Sequence, residues 1–446
     1  MGAMLSERRS MASAKNKSGS GKSRRKSTAS KSTNITMRGQ DMINIAVAQS
    51  GGPTCAINAS LVGVFREALK HSTIDAIFGS VNGIEGIIDN HLVDLKSMIR
   101  TNDDMELLRQ TPSTVLGSCR YKLPDFHEDE TVYQKIAETL KQRNIGAFFY
   151  IGGNDSMDTV NKLSEYLKTI GLDTKMIGIP KTIDNDLAIT DHTPGFGSAA
   201  KYVATTMREI TRDSTVYSIP SVTIVEIMGR HAGWLTASSV VLHAMGETAP
   251  HLVYVPESDF STESFLRDVR QEMSKHKAVI VAVSEGIEVP EGVQSGVVDN
   301  FGHKYLSGIG KYLEGLVRNE IGCKVRSVEL NVMQRCSSHL GSKTDIDESE
   351  AIGAAGVRCA LNGETGKVMV FKRVSDMPYT VDIGTADACD IANYEKHLPS
   401  EYINSTGNNI NDVALPYFLP LIQGELNLLM ENGLPKHFAI HESLLK

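Results

Sequence analysis

Short apolar runs alternate with helical patterns along most of this chain, and each run ends in a turn rich in glycine or polar residues. The apolar runs lie at 43–48, 147–151, 175–178, 221–227 and 277–284. Helical patterns follow over 55–70 and 157–168 and from Trp234. Because buried strands that alternate with helices form parallel sheets, the pattern predicts an α/β protein. Ligands bind such sheets beyond the carboxyl ends of the strands, where the unusual turns lie.

The charge of the chain is unevenly distributed. Residues 1–40 contain ten Lys or Arg and a single acid, Glu7, although the whole chain has a net charge of −7. This basic end has too few large apolar residues to offset the entropy of ordering, so we expect a disordered tail. Nucleic-acid contact and organelle targeting are alternative roles for it. The acidic remainder argues against a nucleic-acid enzyme.

No apolar run approaches the roughly 18 residues that a membrane-spanning helix needs, so no membrane association is expected. The six cysteines form no CxxC pair. Free thiols in a reducing compartment are the better interpretation, and we expect a cytoplasmic protein.

Two glycine-rich turns suit an anionic ligand. One contains Gly51 and Gly52, and the other contains Gly153 and Asp155. Glycines let the backbone approach a bulky anion, and the N–H groups of the helix that follows attract it. Asp155 would repel phosphate unless a cation such as Mg²⁺ lay between them. The turns therefore favour phosphate or pyrophosphate, although an ordinary tight turn and a helix cap at Asp155 remain open.

The segment from Pro180 to Asp186 is the most distinctive in the chain. Asp184 and Asp186 lie two residues apart, and Lys181 and Thr182 precede them. One carboxylate can accept a hydroxyl proton, and the other can help to hold a metal. Lys181 can neutralise phosphate charge, and Thr182 can donate a hydrogen bond to it. The segment indicates a phosphoryl-transfer site, although polar turns also favour Asn and Asp.

Further charged residues lie at or near strand ends. Arg120 lies in a loop, Arg230 follows the run at 221–227, and Glu285 follows the run at 277–284. Arginine suits bidentate binding of phosphate, and glutamate can accept hydrogen bonds from sugar hydroxyls. Taken singly, each is more often a surface residue. The sequence has neither a Walker A motif nor the set of motifs found in protein kinases.

Taken together, six motifs occur in the order typical of the phosphofructokinases, and by them the chain is identified as a member of that family. They are Gly51 to Thr54, Leu116 to Arg120, Gly152 to Ser156, Pro180 to Asp186, Met228 to Gly233 and Ser284 to Gly286. The resemblance is strong over 43–340 and continues more weakly through 419–425, which resembles the pyrophosphate-using branch. It implies a phosphofructokinase-type α/β fold with two Rossmann-like three-layer αβα domains and the active site in the cleft between them.

The resemblance also implies a division of the chain. We expect the disordered basic tail at 1–40, a donor-binding domain at 41–180, a sugar-phosphate-binding domain at 181–400 and a helical C-terminal extension at 401–446. The chain is expected to cross between the two domains more than once. Family members are oligomers, so a homodimer or homotetramer is expected, and some members lend an arginine across the subunit interface.

The implied reaction is reversible phosphoryl transfer in glycolysis, from pyrophosphate to the 1-hydroxyl of fructose 6-phosphate. The donor would be bound by Gly51, Gly52, Arg120, Gly153, Asp155 and Lys181, and Mg²⁺ by Asn154, Asp155 and Asp186. Asp184 would be the base, and Lys181, Thr182, Asp186 and Arg230 would assist it. The sugar phosphate would contact Thr182, Ile183, Asp184, Met228, Gly229, Arg230 and Glu285, with Arg326 and Arg335 at its 6-phosphate.

The choice of donor depends on two positions. ATP-using members similar to this chain usually have glycine where Asp155 and Lys181 stand, although some carry the lysine. Asp155 would crowd and repel the α-phosphate of a nucleotide, whereas Lys181 would neutralise the shorter donor. Pyrophosphate is therefore expected.

Three positions depart from the family pattern. Asn154 replaces a metal-facing aspartate of many relatives, so the direct metal ligand stays open. Ser221 and Val332 replace residues that serve the 6-phosphate in relatives, so that pocket cannot be copied from them. Two alternatives remain, an ATP-dependent phosphofructokinase and a catalytically silent regulatory subunit. The presence of both Asp184 and Asp186 argues against the silent subunit.

Overall fold

The computed structural model of the protein describes residues 42–288 and 308–439, so the expected tail at 1–40 lies outside the described residues. The strands are β1 (Ile43–Gln49), β2 (Ile74–Ser80), β3 (Leu92–Asp94), β4 (Ile145–Gly152), β5 (Lys175–Pro180), β6 (Ser221–Ile227), β7 (Leu252–Tyr254), β8 (Ala278–Ser284), β9 (Lys324–Glu329), β10 (Lys367–Asp376), β11 (Tyr379–Asp387), β12 (Met430–Glu431) and β13 (Leu434–Pro435).

The α-helices are α1 (Ile57–Ala68), α2 (Ile84–Ile88), α3 (Leu95–Met98), α4 (Asn102–Gln110), α5 (Thr131–Gln142), α6 (Asn154–Thr169), α7 (Phe196–Ser214), α8 (Trp234–Ala237), α9 (Thr262–Met273), α10 (Ile309–Glu320), α11 (Met333–Cys336), α12 (Lys343–Leu361), α13 (Ala388–Ile391) and α14 (Leu415–Leu421). Short 3₁₀ helices lie at Ser238–Met245, Ser338–Leu340, Ser400–Tyr402 and Asp412–Ala414. None of the helices in these described ranges combines the length and apolar character needed to cross a membrane.

Two sheets organise the fold. The first has seven strands in the order β11-β10-β5-β4-β1-β2-β3, and it is parallel except at its edges, where β3 and β11 run antiparallel to their neighbours. The second has the order β7-β8-β6-β9 and is parallel throughout. Their central strands are almost wholly buried, as expected when helices cover both faces of a parallel sheet. The predicted α/β fold with parallel sheets is confirmed.

The predicted strands are all present. β10 and β11 fall within the range 181–400 and belong to the first sheet, a return that the expected crossing of the chain between the domains allows. The C-terminal extension, expected to be helical, contains one seven-residue α-helix, α14, and is otherwise made of turns, 3₁₀ turns and two-residue strands within 401–439. Pro420 lies inside α14, where proline cannot donate the backbone hydrogen bond of a regular helix. The domain boundaries themselves stay a prediction.

Helix α12 returns the chain to the first sheet by packing closely against α1. A Cβ atom at Gly63 of α1 would lie 2.0 Å from the carbonyl oxygen of Glu350, and one at Gly353 of α12 would lie 2.1 Å from that of Ser60. Any side chain at these two positions would therefore separate the helices. Since α1 directly follows the turn at 50–54, this contact also holds one wall of the site described below.

A buried ionic cluster fixes the loop between β5 and α7. The two ring nitrogens of His192 lie 2.8 Å from carboxylate oxygens of Asp191 and Glu348, and the ring stacks on Phe371 at 4.4 Å. Burial by itself would lower the pKa of His192, but the two carboxylates outweigh it and raise that pKa. Arg373 pairs in turn with Asp191 at 3.1 Å. The loop is thereby joined to α12 and β10.

This cluster predicts a stability that depends on pH. His192 has a raised pKa in the folded state, so its contribution is complete below about pH 6.5, the unfolded value, and is lost as the pH rises through the folded pKa. We expect His192→Asn to lower the free energy of unfolding by about 3 kcal/mol at pH 6 and by clearly less at pH 9. Urea unfolding at both values, with the exposed His127→Asn as control, measures it. Equal losses at the two values would contradict an ionic role.

Candidate active site

The carboxyl ends of strands from both sheets open onto one cavity of about 670 Å³, a size typical of small-molecule sites. Within the first sheet Gln49 pairs with Ile151 and Gly152 with Pro180, so the turns after β1, β4 and β5 begin at one level. In the second sheet Ile227 pairs with Ser284, which aligns the turns after β6 and β8. The cavity is lined by all the predicted site residues except Gly229 and Arg326, namely by Gly51, Gly52, Arg120, Gly153, Asn154, Asp155, Lys181, Thr182, Ile183, Asp184, Asp186, Met228, Arg230, Glu285 and Arg335.

The turn after β1 is held by the loop that contains the second sequence motif. Gly51 has φ +75°, a left-handed conformation that favours glycine. Its N–H donates to the carbonyl of Cys119 at 3.3 Å, and its own carbonyl accepts from the Ser118 hydroxyl at 2.7 Å. The hydroxyl oxygen of Thr54 accepts from the N–H of Ile57, the first residue of α1, at 3.1 Å. The two motifs therefore form one rigid wall.

Two cations converge on this turn. Lys181 is 2% exposed, and its Nζ donates to the carbonyl of Gly52 at 2.7 Å. Burial lowers the pKa of Lys181 to about 8, although Asp184 and Asp186 oppose that shift. Nη1 of Arg335 lies 3.3 Å from the place of a Cβ atom on Gly52. Its Nε is buried and has no hydrogen-bond partner among the described residues.

Arg335 and Arg326 were both expected at the 6-phosphate of the sugar, and the structure separates them. Arg335 lies beside the glycine turn expected to bind the donor. Arg326 lies on β9 outside the cavity lining, where its Nη1 pairs with Asp213 at 3.0 Å and its side chain is 40% exposed. The structure therefore does not bring the two arginines together around one phosphate. Ser221 and Val332 are also absent from the lining.

The acidic segment after β5 is folded back on itself. The hydroxyl oxygen of Thr182 accepts a hydrogen bond from the N–H of Asp184 at 3.0 Å, which leaves the hydroxyl hydrogen to donate to a ligand. The carbonyl of Thr182 accepts from the Thr193 hydroxyl at 2.8 Å. Asn185 has φ +57°, in the left-handed region that non-glycine residues seldom adopt. The segment thus has a defined shape that places Asp184 and Asp186 in the same cavity.

Three carboxyl groups of the cavity hold protons more tightly than usual. Burial raises the pKa of Asp184, and the nearby Arg230, Lys181 and Arg335 only oppose that effect. Burial and the neighbouring Asp184 raise the pKa of Asp186. The same two causes raise the pKa of Glu285 to about 7. A carboxylate whose pKa approaches the operating pH is suited to general base catalysis.

The turns after β6 and β8 in the second sheet are joined by hydrogen bonds. Gly229, with φ +134°, donates its N–H to Oε1 of Glu285 at 3.4 Å, and its carbonyl accepts from the Ser284 hydroxyl at 2.6 Å. A Cβ atom on Gly286 would lie 1.8 Å from the carbonyl oxygen of Arg230. Gly229 therefore acts through its backbone, while the side chains of Arg230 and Glu285 reach the cavity.

The start of α6 forms the remaining wall. Its N-cap, Gly153, provides no side-chain cap, and Asp155 lies in the first turn with its side chain 48% exposed, 4.0 Å from Nζ of Lys122. The amide of Asn154 donates to the carbonyl of Tyr394 at 2.8 Å and accepts from the N–H of Asn393. Asn154 thus uses its side chain to bind another segment of the chain.

The described residues contain no cluster of three His, Cys, Asp or Glu that could hold a metal by itself. Mg²⁺ does not require such a cluster, because it binds one or two carboxylates together with substrate phosphates. Asp155 and Asp186 are among the five carboxylates that line the cavity, together with Asp184, Glu285 and Glu395. The donor set therefore fits an ion that arrives with its phosphate ligand.

Sequence reasoning missed one wall of the cavity. His231 lines it and pairs through Nδ1 with Oε1 of Glu395 at 2.9 Å, and the segment 393–397 contributes four further lining residues. His231 adjoins a motif and could have been chosen on that ground. The segment 393–397 follows no apolar strand and has no glycine turn, so the sequence contained no signal for it.

Comparisons with known proteins agree with this geometry. The family model described as phosphofructokinase matches residues 44–357. Two proteins named pyrophosphate–fructose 6-phosphate 1-phosphotransferase are similar to the chain. That of Halomonas elongata is 39% identical over 399 residues, covering 88% of this chain and 95% of its own length. That of Xanthomonas campestris pv. campestris is 40% identical over 404 residues, covering 89% and 96%. The crystal structure of a pyrophosphate-dependent phosphofructokinase from Marinobacter aquaeolei is 35% identical, with a TM-score of 0.79 over 89% of this chain and 96% of that one.

Proposed function

The chain belongs to the phosphofructokinase family, and from this premise we propose that the cavity at the strand ends is its active site. The enzyme transfers a phosphoryl group from pyrophosphate to fructose 6-phosphate, a step of glycolysis, and yields fructose 1,6-bisphosphate and phosphate. The observation that carries the assignment of the site is the convergence of Lys181 and Arg335 on the Gly51–Gly52 turn, with Asp184 in the same cavity.

Donor binding is assigned to the turn after β1 and the cations around it. Gly51 and Gly52 allow the backbone to approach the pyrophosphate, and Arg120 lies at the rim of the same cavity. Lys181 and Arg335 neutralise charge on the donor. The position of Arg335 beside Gly52 supports this role over the one at the 6-phosphate. A guanidinium suits bidentate binding of phosphate.

Proton transfer is assigned to Asp184. Its carboxylate takes the proton from the 1-hydroxyl of the sugar as that oxygen attacks the terminal phosphoryl group in line. Thr182 donates its hydroxyl hydrogen to the phosphoryl group, and Arg230 stabilises the charge that spreads over it. Met228, Ile183 and Glu285 line the sugar side, and the backbone of Gly229 orients Glu285. The cavity thus performs catalysis mainly by positioning and electrostatics.

Mg²⁺ is proposed as the companion of the donor. Asp155 and Asp186 would hold it, and it would neutralise charge on the phosphate oxygens. Burial and the neighbouring Asp184 raise the pKa of Asp186, so a cation held beside this carboxylate would stabilise its charged form. Asn154 is not included, since its amide is already bound to the backbone of 393–394.

A homodimer or homotetramer in the cytoplasm is proposed as the working form. All six cysteines are free, which supports a reducing compartment. The family resemblance supports an oligomer, in which Arg326 would serve the 6-phosphate in a neighbouring subunit. Its partial exposure and its distance from the cavity of its own chain support that placement.

Turnover of fructose 6-phosphate with Mg²⁺ and either pyrophosphate or ATP as the sole donor tests the proposal. We expect turnover with pyrophosphate and at least about 100-fold less with ATP, because Asp155 repels a longer, nucleoside-bearing donor. Turnover with ATP alone would leave the assignment of Asp184 as the base in place but would contradict pyrophosphate as the donor. Absence of turnover with both would favour the catalytically silent regulatory subunit.

A further inference from the structure

A lysine outside every sequence motif lies behind the acidic segment. Nζ of Lys396 donates to the carbonyls of Asp191 at 2.7 Å and Thr190 at 3.1 Å and to the side-chain oxygen of Asn185 at 3.3 Å. The backbone N–H of Lys396 donates to the carbonyl of Asp186 at 2.7 Å. One residue near the C-terminal end thus binds both Asn185 and Asp186.

The other side of Asn185 is held as well. Its Nδ2 donates to the hydroxyl of Tyr417 at 2.7 Å, and that hydroxyl donates to the carbonyl of Asp191 at 2.6 Å. The side-chain amide of Asn185 is therefore bound at its oxygen by Lys396 and at its nitrogen by Tyr417. Both partners come from a part of the chain more than 200 residues away from Asn185.

Lys396 is itself fixed in place. Its Nζ lies 4.9 Å from the ring centre of Trp234, and the indole N–H of that residue donates to the Lys396 carbonyl at 2.8 Å. These contacts to carbonyls and to an aromatic ring leave the Nζ group few ways to move. The backbone and the Nζ group of Lys396 are therefore both held in place, and the residue can act as a rigid support for Asn185.

This support lies where the acidic segment needs one. Asn185 stands between the two aspartates in a left-handed conformation, φ +57°, which asparagine adopts more readily than most residues other than glycine. The contacts of its side-chain amide help to hold the backbone in this conformation. If the amide were released, the backbone at Asn185 would relax, and the carboxylates on either side of it would turn with it.

We propose that Lys396 is a positioning residue for phosphoryl transfer, which acts through Asn185, with Tyr417, to hold the carboxylates of Asp184 and Asp186 in their working directions. This proposal rests on the proposed function, in which Asp184 is the base. Lys396 does not touch the reacting atoms. Its removal should therefore impair turnover far more than binding of the sugar phosphate, since a displacement of about 1 Å in a catalytic group can cost on the order of 100-fold in rate.

The experiment compares Lys396→Met with Asn185→Gly, which tolerates the left-handed backbone but has no side chain. We expect each to lower kcat on the order of 30-fold with pyrophosphate, while the KM for fructose 6-phosphate changes less than about threefold. Because both variants break the same support, the double variant should be little worse than the poorer single one. Tyr417→Phe should show a smaller loss of kcat in the same direction.

Lys201→Met is the matched control. Its Nζ also donates to backbone carbonyls, those of Gly341 and Gly424, but at a site apart from the acidic segment. We expect it to lower the melting temperature without lowering kcat. If Lys396→Met leaves kcat unchanged, or if the losses of kcat add fully in the double variant, the positioning role is wrong. An unmodified enzyme without pyrophosphate turnover would overturn the proposed function and this inference together.

Discussion

Replacing Asp184 with asparagine is expected to lower kcat roughly 1000-fold, the largest effect of any single substitution considered for this enzyme. Asparagine has nearly the shape of aspartate but cannot accept the proton of the sugar hydroxyl. The Asp184 carboxylate is buried beside Arg230 and Lys181, and burial raises its pKa. The KM for fructose 6-phosphate should change less than about threefold, because the remaining contacts to the sugar stay in place.

Steady-state turnover with pyrophosphate, in both directions, measures this loss. Asp173→Asn, which removes a carboxylate with 87% side-chain exposure, is the matched control and should leave kcat unchanged. A loss smaller than about tenfold for Asp184→Asn would mean that another group is the base. Asp186 and Glu285 would then be the next candidates, since both line the same cavity and both have raised pKa values.

Removing the charged side chains of Asp155 and Lys181 is expected to change which phosphoryl donor the enzyme uses. We expect Asp155→Gly combined with Lys181→Gly to lower kcat/KM for pyrophosphate on the order of 100-fold, because a charged hydrogen-bonding group contributes about 1.5–3 kcal/mol. Turnover with ATP should rise above that of the unmodified enzyme. Asp155 would no longer repel the α-phosphate of the nucleotide. The buried side chain of Lys181 would no longer fill the space beside Gly51 and Gly52.

The two single variants separate the effects. Asp155→Gly alone should admit some ATP, while Lys181→Gly alone should mainly weaken the use of pyrophosphate. The pair Asp173→Gly with Lys175→Gly, a lysine and an aspartate joined by a salt bridge outside the cavity, is the matched control. If the double variant at 155 and 181 keeps its preference for pyrophosphate, the physical argument from these two side chains is wrong.

The strands, the turns and most of the cavity lining could be predicted from the sequence because they depend on local order. An apolar run that ends in a glycine turn at 51–52 or an acidic turn at 181–186 describes a strand and its carboxyl end. Parallel strands place all such ends at one edge of a sheet. Residues at the strand ends of one sheet therefore meet wherever the rest of the chain runs. This explains why Gly51, Lys181 and Asp184 line one cavity, whereas Glu285 reaches the same cavity from the second sheet.

Residues whose position is set by contacts with a distant segment of the chain could not be placed in this way. Arg326 and Arg335 are nine residues apart and look equivalent in the sequence, yet one lies beside Gly52 and the other pairs with Asp213 outside the cavity. Only the direction in which each side chain points shows that Arg335 reaches the cavity and Arg326 does not. Asn154 was expected to be a metal ligand, but both polar atoms of its amide form hydrogen bonds with the backbone of residues 393–394.

What the sequence determined by itself is thus the α/β architecture and the chemistry available at the strand ends, because both follow from contacts between neighbours in the chain. The tertiary structure alone decided which cation faces the donor turn and what supports the acidic segment. Helix α12 and strands β10 and β11 bring the chain back to the first sheet, and Lys396 and Tyr417 then reach Asn185 from more than 200 residues away. Contacts at such separations depend on the packing of whole elements, and no local pattern of residues encodes them.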